Sequence, residues 1–534
     1  MIRKNSDYYI TSLGIVKDFI RTVTIVDDKA QFITNEYGSS FDAGRIIKRY
    51  AEDGKICSVF RFTEKDDVEK IIKITRESDI TILDWKIELK ERLDAGIEKD
   101  DELEEDEVKS KGFYTLEILK GMISSEPNPL KLIVIYTDEP AFVRISDEIM
   151  HELKDFNIKP EDGNPFAFYC NNNKITLFGK EELKGKTAHL PEVAKRSYNF
   201  EELPEAIYDE FLRFTHGIVA GIFLKAIASI RTHTFLLLNT FHRVIDTAFI
   251  THKGLLPIPD DAHDHIGDLI GSEIKSVING TLDDVVINRL IDNYIDTLDE
   301  NHLLECTYNG VHKKLSAENM KSLISDPEFK KNLTKSSNDK LPNSLPTSII
   351  KANNPSLSDK DAESRAYTGN IQFAKLTTFK NRYLDFNKPI LTLGVVLKDS
   401  EKDEYWICVQ PKCDSIRISE NENNNQGRAF LFLRLSKIEK GEIIFDADTR
   451  FKVEYSIKKS KQFLFKPTGN GMVTVREKES NHWFFMDCSG RCFDYLCELK
   501  NDFSQRIINI FASKISRVAV NHSEWLRLQV KNHE

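Results

Sequence analysis

The sequence has no run approaching the roughly 20 consecutive apolar residues of a bilayer span. Its first residues, Met-Ile-Arg-Lys-Asn-Ser-Asp-Tyr-Tyr, lack the pattern of a signal peptide. Positive charge is not in excess. The formal net charge is −10, so nothing global invites a nucleic acid or an anionic membrane. Cysteine is sparse: eight scattered residues in 534 argue against a disulfide framework and for a reduced, cytoplasmic protein. No helix-turn-helix, phosphate-binding Gly loop or hydrolase motif is evident, so an enzyme is not the expectation. What the chain does have is 40% hydrophobic residues, enough for several cores. Its length predicts about three or four domains.

The first 185 residues alternate strand and helix signals. The β-branched run Thr22-Val23-Thr24-Ile25-Val26 predicts a buried strand that ends at Asp27-Asp28. Phe41 to Asp53 has helical spacing, with Ile46, Ile47 and Tyr50 on one side and Gly54 as a stop. Ile56 to Phe62 predicts a strand, Asp66 to Glu77 a helix, and Ile80 to Leu83 a strand that stops abruptly at Asp84. Residues 89–112 carry Asp100-Asp101-Glu102 and Glu104-Glu105-Asp106-Glu107, a solvated insertion by composition. A helix from Tyr114 to Met122 and a strand from Leu132 to Tyr136 follow, the strand ending at Thr137. After a helix from Ile145 to Phe156, Phe166–Cys170 and Lys174–Phe178 predict a hairpin across Asn171-Asn172-Asn173, ending at Gly179-Lys180. This alternation predicts a doubly wound parallel sheet, whose carboxyl edge is where ligands gather.

Clustered carboxylates at that edge favour a hard divalent cation such as Mg²⁺, here on Asp27, Asp28 and Asp84. Thr137 would donate to a phosphoryl oxygen on Asp84, and Lys180 would pair with it as a point charge. The set suits phosphoryl transfer to a carboxylate. Any one of these residues alone reads as a turn or a helix cap. The ordered set is what carries specificity.

In that order and at those strand ends, Asp27-Asp28, Asp84, Thr137 and Lys180 resemble the receiver domain of two-component response regulators. The resemblance implies a flavodoxin-like fold over residues 1–185. It implies Mg²⁺ held by Asp27, Asp28 and Asp84, phosphorylation of Asp84, and sensing of the phosphoryl group by Thr137 and Lys180. A sensor histidine kinase or GHKL-type ATP-binding partner is implied as well. The sequence departs from the family pattern in its longer intervals, in Asp138 after Thr137 where a small residue is common, and in Glu181 after Lys180 where Pro is usual. Lys174 and Lys184 are alternatives for the role of Lys180.

Residues 186–335 predict a helical region for signalling or dimerisation. Leu203-Pro204-Glu205 opens a helix, and Phe211, Phe214, Ile218, Val219, Ile222, Phe223 and Ile227 continue one stripe. A second helix runs through Phe235, Leu238, Phe241, Val244, Ile245, Ala248 and Phe249, and a third from Asp260 through Ile274. Such stripes suit a homodimer seam. His216, His233, His242, His252, His263 and His265, among Asp246, Asp261 and Asp264, are the ligand types of a His-Asp metallohydrolase, but their spacing favours core, cap and surface roles. Phe214-Thr215-His216-Gly217 and the segment 246–253 resemble the helical extension of divergent bacterial receivers, and a place in stress or phage defence fits that resemblance.

Residues 336–370 read as a linker and 371–534 as a mainly β output domain. Strands are predicted over 390–397, 405–409, 429–435, 451–457 and 472–476, and a helix over 492–515. Trp406 to Asp414 resembles a strand-turn motif of bacterial proteins, with Ser523-Glu524-Trp525-Leu526-Arg527 part of the same pattern. Cys413-Asp414 is a candidate thiol site, weighed against a buried Cys and a turn Asp. Cys488, Cys492 and Cys497 lack a paired metal-ligand spacing, and Lys458, Lys459 and Lys461 beside Phe463 and Phe465 read as a protected strand edge. The expectation is therefore a response regulator switched at Asp84. Its rivals are a non-phosphorylated receiver-like docking module in a defence assembly and a C-terminal enzyme using Cys413 and Asp414.

Overall fold

The computed structural model describes residues 4–31, 41–87, 111–124, 129–187, 190–256, 259, 261–282, 284–303, 305–308, 311–329, 345–381, 388–416, 418, 427–446, 448–467, 471–479 and 482–515. The acidic insertion, the start of the predicted linker and the closing Ser-Glu-Trp-Leu-Arg segment lie outside them. The chain divides into two compact units, Met1–Leu298 with Ala317–Asp326, and Asp299–Ser316 with Pro327–Glu534.

The first unit is built on an 8-stranded sheet. Its strands are β1 Thr22–Asp27, β2 Ile56–Arg61, β3 Ile80–Leu83, β4 Lys131–Thr137, β5 Lys159–Glu161, β6 Asn164–Cys170, β7 Asn173–Lys180 and β8 Ser197–Tyr198. Five of them pair in parallel in the order β2-β1-β3-β4-β7. This is the strand order of the flavodoxin-like doubly wound fold. The hairpin of β5 and β6 extends the sheet antiparallel from β7, and β8 adds in parallel to the same strand. β3 and β4 are buried along their whole length, as near-continuous β-branched strands covered on both faces must be.

Helices α1 Asp7–Phe19, α2 Ala43–Glu52, α3 Asp67–Arg76, α4 Phe113–Ile123 and α5 Phe142–Glu152 accompany this sheet. Side chains of alternating parity in β1, β3 and β4 enter two separate cores, one holding Val23, Ile25, Ile80 and Ile82, the other Val26, Leu83, Ile133 and Ile135. Ser6 caps α1 through the Tyr9 amide at 3.1 Å, and Asp42 caps α2 through the Arg45 amide at 2.9 Å.

Beyond the sheet come α6 Leu203–Thr215 and α7 Ile218–Thr240. The predicted stripe through 227 is cut here, because Gly217 takes φ +137° and turns the chain. Non-helical dihedrals at His233 then bend α7 without ending it. α7 is long and apolar enough, by length and composition alone, to cross a membrane. Lys225, Arg231 and interspersed polar residues kept it from reading as one apolar run.

In the second unit, Leu345–Asn353 and Asp359–Thr378 are helices where the sequence suggests linker. Apart from Leu345 and Thr378 at their outer ends, their buried positions are small ones, Ser348, Ala352, Ala362 and Ala366, so a hydrophobic period is faint. A 9-stranded antiparallel sheet follows. Leu397, Trp406 and Phe432 fall in one core and their neighbours Val396, Ile407 and Leu433 in another, so both faces are covered. Cys492–Glu498 is a strand, not the start of the last helix, which runs Asn501–Ile515. Ser460–Phe465 is a strand, where the sequence suggests a lysine-protected strand edge.

Candidate functional site

β1 and β3 lie side by side in parallel, with Val26 opposite Leu83. Their carboxyl ends therefore deliver Asp27-Asp28 and Asp84 to one place. The three carboxylates are buried, and each offers an oxygen within 4.8 Å of the others. The Lys29 amide donates to Asp27 Oδ1 at 2.8 Å, the Lys86 amide to Asp84 Oδ1 at 3.3 Å, and the Arg61 Nε to the Asp28 carbonyl at 3.1 Å. Thr115 holds the main chain at Asp84 by donating to the carbonyls of Asp84 (2.7 Å) and Trp85 (3.0 Å).

β7 ends at Lys180, which is also buried. Its Nζ donates to Asp84 Oδ2 at 2.7 Å and to Asp27 Oδ2 at 3.0 Å. The other two lysines are elsewhere. Lys174 is fully buried against Glu161 (2.7 Å) and Glu210 (2.8 Å), and Lys184 pairs on the surface with Glu202. Thr137 ends β4 opposite Gly179, and its Oγ1 accepts from the Glu139 amide at 3.1 Å.

Three buried carboxylates gather here, two of them on the buried Lys180 ammonium. Burial raises the Asp84 carboxyl to about 7, the Asp27 and Asp28 charges push the same way, and Lys180 opposes them. Burial works to lower Lys180, but the Asp84 and Asp27 charges outweigh it and hold the ammonium above its ordinary range. A hard, all-oxygen donor set of three clustered carboxylates fits a divalent cation of the Mg²⁺ kind, which needs few protein carboxylates and keeps waters.

Two residues that sequence reasoning missed flank the lysine. The rings of Phe41 and Tyr136 each lie 5.9 Å from Lys180 Nζ. Tyr136 precedes Thr137, so its position was legible, but nothing in its spacing marks it. The remaining candidates are not assembled into a site. His252 Nε2 and His265 Nδ1 are 2.9 Å apart on an exposed surface, and among the described residues only the three aspartates form a metal-type cluster. Cys413 is exposed with its Sγ 3.6 Å from Asp414 Oδ1, on a single helical turn. Lys461 lies 4.8 Å over the Trp406 ring, and Lys459 pairs with Glu454.

The parallel order β2-β1-β3-β4-β7, with an acidic cluster and a lysine at its carboxyl edge, defines a receiver-type α/β domain. A family model described as a response receiver domain matches residues 19–185. This range covers every residue of the pocket and ends before the helical region. Neither the curated proteins nor the solved structures contain a match to the chain. A receiver domain suggests a response-regulator type of function; receivers as a class work with histidine kinases or phosphotransfer proteins and bind Mg²⁺ at an acidic pocket.

Proposed function

We propose that the chain is a response regulator phosphorylated on Asp84, with Mg²⁺ on Asp27, Asp28 and Asp84, and that its helical region conveys the change to the C-terminal β domain. The observation that carries this reading is the Lys180 ammonium bridging Asp84 and Asp27 inside the carboxylate cluster. An ordinary turn aspartate has no reason to be buried with two other acids and one lysine.

In the transfer, an Asp84 carboxylate oxygen forms a bond to phosphorus. The P–N bond of a donor phosphohistidine breaks, and the imidazole keeps the electron pair and takes up a proton. Positioning and charge neutralisation supply most of the catalysis. When bound, the metal ion offsets the charge on the transferring oxygens. Lys180 holds Oδ2 of Asp84 in the resting state and moves from that oxygen to the phosphoryl group afterwards. Thr137 then exchanges its Glu139 contact for a phosphoryl oxygen. The partner on this reading is a sensor histidine kinase or a GHKL-type ATP-binding protein.

Labelling with acetyl phosphate and Mg²⁺ tests the proposal. Wild-type protein gains one phosphoryl group that Asp84→Ala does not. Undiminished labelling of Asp84→Ala overturns the assignment.

A further inference from the structure

Lys180 is the last residue of β7, and the outer edge of β7 at that point is occupied by the protein's own chain. Ser197 and Tyr198 pair with Gly179 and Lys180 as β8, and the Gly179 amide donates to the Arg196 carbonyl at 2.9 Å. The approach is so close that a Cβ on Gly179 would lie 2.3 Å from Ser197 Oγ. Arg196 fastens the segment further, through Nε to the Leu177 carbonyl (3.1 Å) and Nη2 to Thr176 Oγ1 (2.6 Å).

The same segment grips β4. Tyr136 donates its phenol to the Tyr198 carbonyl at 2.7 Å. The Tyr198 ring meets Phe178 edge-on at 4.9 Å, and Phe200 meets Phe41 edge-on at 5.1 Å and Tyr136 at 6.4 Å. Phe41 and Tyr136 are the two rings beside the Lys180 ammonium. One residue beyond Tyr198, Asn199 Oδ1 accepts from the Glu201 and Glu202 amides, and the Asn199 carbonyl accepts from the Leu203 amide. These bonds start α6, whose Leu203, Ile207, Tyr208 and Phe211 are buried in the core that also holds Tyr136 and Phe178. Two residues past α6, α7 begins.

We propose that residues 196–200 are an internal reader of the Lys180 ion pair, coupling it through Tyr136 and the Phe41–Phe200 contact to the start of α6. The inference builds on the phosphorylation reading above but does not need it. Any change that takes the Lys180 ammonium off Asp84 alters what the two flanking rings enclose. Tyr136 is held to Tyr198 by a hydrogen bond, and Phe41 to Phe200 by edge-to-face packing. The reader is covalently continuous with α6, so the first thing to move is a helix start and not a surface left for a partner. Packed aromatic cores have discrete arrangements and do not deform smoothly, which suits a two-state readout.

Amide hydrogen exchange on the full-length chain tests this, read over peptides spanning 196–215. Two perturbations are compared with the resting protein: acetyl phosphate with Mg²⁺, and Asp84→Ala, which removes one carboxylate from Lys180 without any phosphoryl group. Intact mass on the same samples gives the phosphorylated fraction. Exchange at 196–215 is expected to change at least threefold in both, and in Tyr136→Phe and Phe200→Leu backgrounds the change per perturbed molecule is expected to fall at least threefold. Exchange over 196–215 that is the same in wild type and Asp84→Ala overturns the inference. So does a change that passes undiminished through both background variants. Absence of phosphate incorporation removes the phosphorylation reading alone, because the Asp84→Ala arm still decides the coupling.

Discussion

Asp84 sits at the centre of an electrostatic conflict whose sign can be worked out. Its folded carboxyl is raised to about 7 while a free aspartate titrates near 3.9. The fold therefore prefers the protonated form. In metal-free protein this favours stability at low pH, and that contribution is lost as pH rises from about 4 to 7. Asp84→Asn keeps the shape without the charge and should stabilise the metal-free protein by about 1–3 kcal/mol at pH 8, with the gain vanishing toward pH 4. Urea denaturation in a chelator at the two pH values measures it. A gain that does not depend on pH would show that the carboxylate's charge is not the cause. Divalent metal must displace the same proton, so the thermal shift produced by Mg²⁺ should be larger at pH 8 than at pH 6. Lys131, buried at the opposite end of the sheet, gives the mirror case. Burial lowers its ammonium to about 8, against the pull of Asp79 and Glu77. That penalty is complete below pH 8 and is relieved as pH rises toward the unfolded value near 10.4. Lys131→Met should add on the order of 1–2 kcal/mol at pH 7 and much less at pH 10.5; an equal gain at both would point to packing instead.

At the scale of elements, what the sequence discloses depends on what makes each element visible. β3 is legible to the residue because four buried residues, three of them apolar, end on an acid. β1 and β4 are legible as apolar, β-branched runs, and with them Asp27, Asp28 and Thr137 at their ends. The lysine is harder. Lys174 and Lys180 lie on one strand six residues apart, so side-chain alternation sends both to the same face. Only their position along β7 separates them: Lys174 sits at its beginning and Lys180 at its carboxyl end. The two-residue strand β8 has no periodicity to read, and the break at Gly217 is hidden inside an unbroken apolar stripe. α7 carries a further feature of this kind. Arg231 makes a bidentate pair with Asp79, Nη1 to Oδ1 and Nη2 to Oδ2, both at 3.1 Å, and donates to the Phe19 carbonyl at 3.0 Å. Asp79 in turn accepts from the Arg21 and Thr22 amides at the start of β1. This clamp fixes α7 at the amino end of the sheet, opposite the acidic pocket. Arg231→Ala should cost roughly 1–3 kcal/mol, and Arg231→Lys should recover little, since an ammonium cannot match both oxygens. Exchange protection over 218–232 reports the loss; full protection in Arg231→Ala would mean that apolar packing alone holds the helix.

At the scale of the molecule, the clamp bears on what α7 is for. Its length and composition would allow a bilayer span. Yet Lys225 pairs with Asp18 at 2.7 Å, Arg21 donates to the Ala228 carbonyl at 3.1 Å, and Leu224 and Ala228 belong to the core of the sheet. Threading this helix through a membrane would strip those groups from the receiver, so its first four turns belong to the first unit as a folding matter. The helix Ala317–Ser325 returns to that unit after an excursion of the chain, with Lys321 paired to Asp296 at 2.7 Å and Met320 and Leu323 buried. Both cores that surround the pocket are complete before Leu298, and the two cores of the second unit begin at Phe379 and Leu391. Among the described residues, every residue placed in the pocket lies in the first unit. A fragment ending at residue 326 should take up phosphate on Asp84 from acetyl phosphate within about twofold of the full chain. Twofold is about 0.4 kcal/mol, well below the 1–3 kcal/mol that loss of a buried partner would cost. A fragment ending at 298 lacks the returning helix, exposes the surface under Met320 and Leu323, and should melt at lower temperature while labelling the same residue. Labelling that is lost in the 326-residue fragment, with its fold intact by circular dichroism, would mean that the β domain acts on the pocket rather than only receiving its signal.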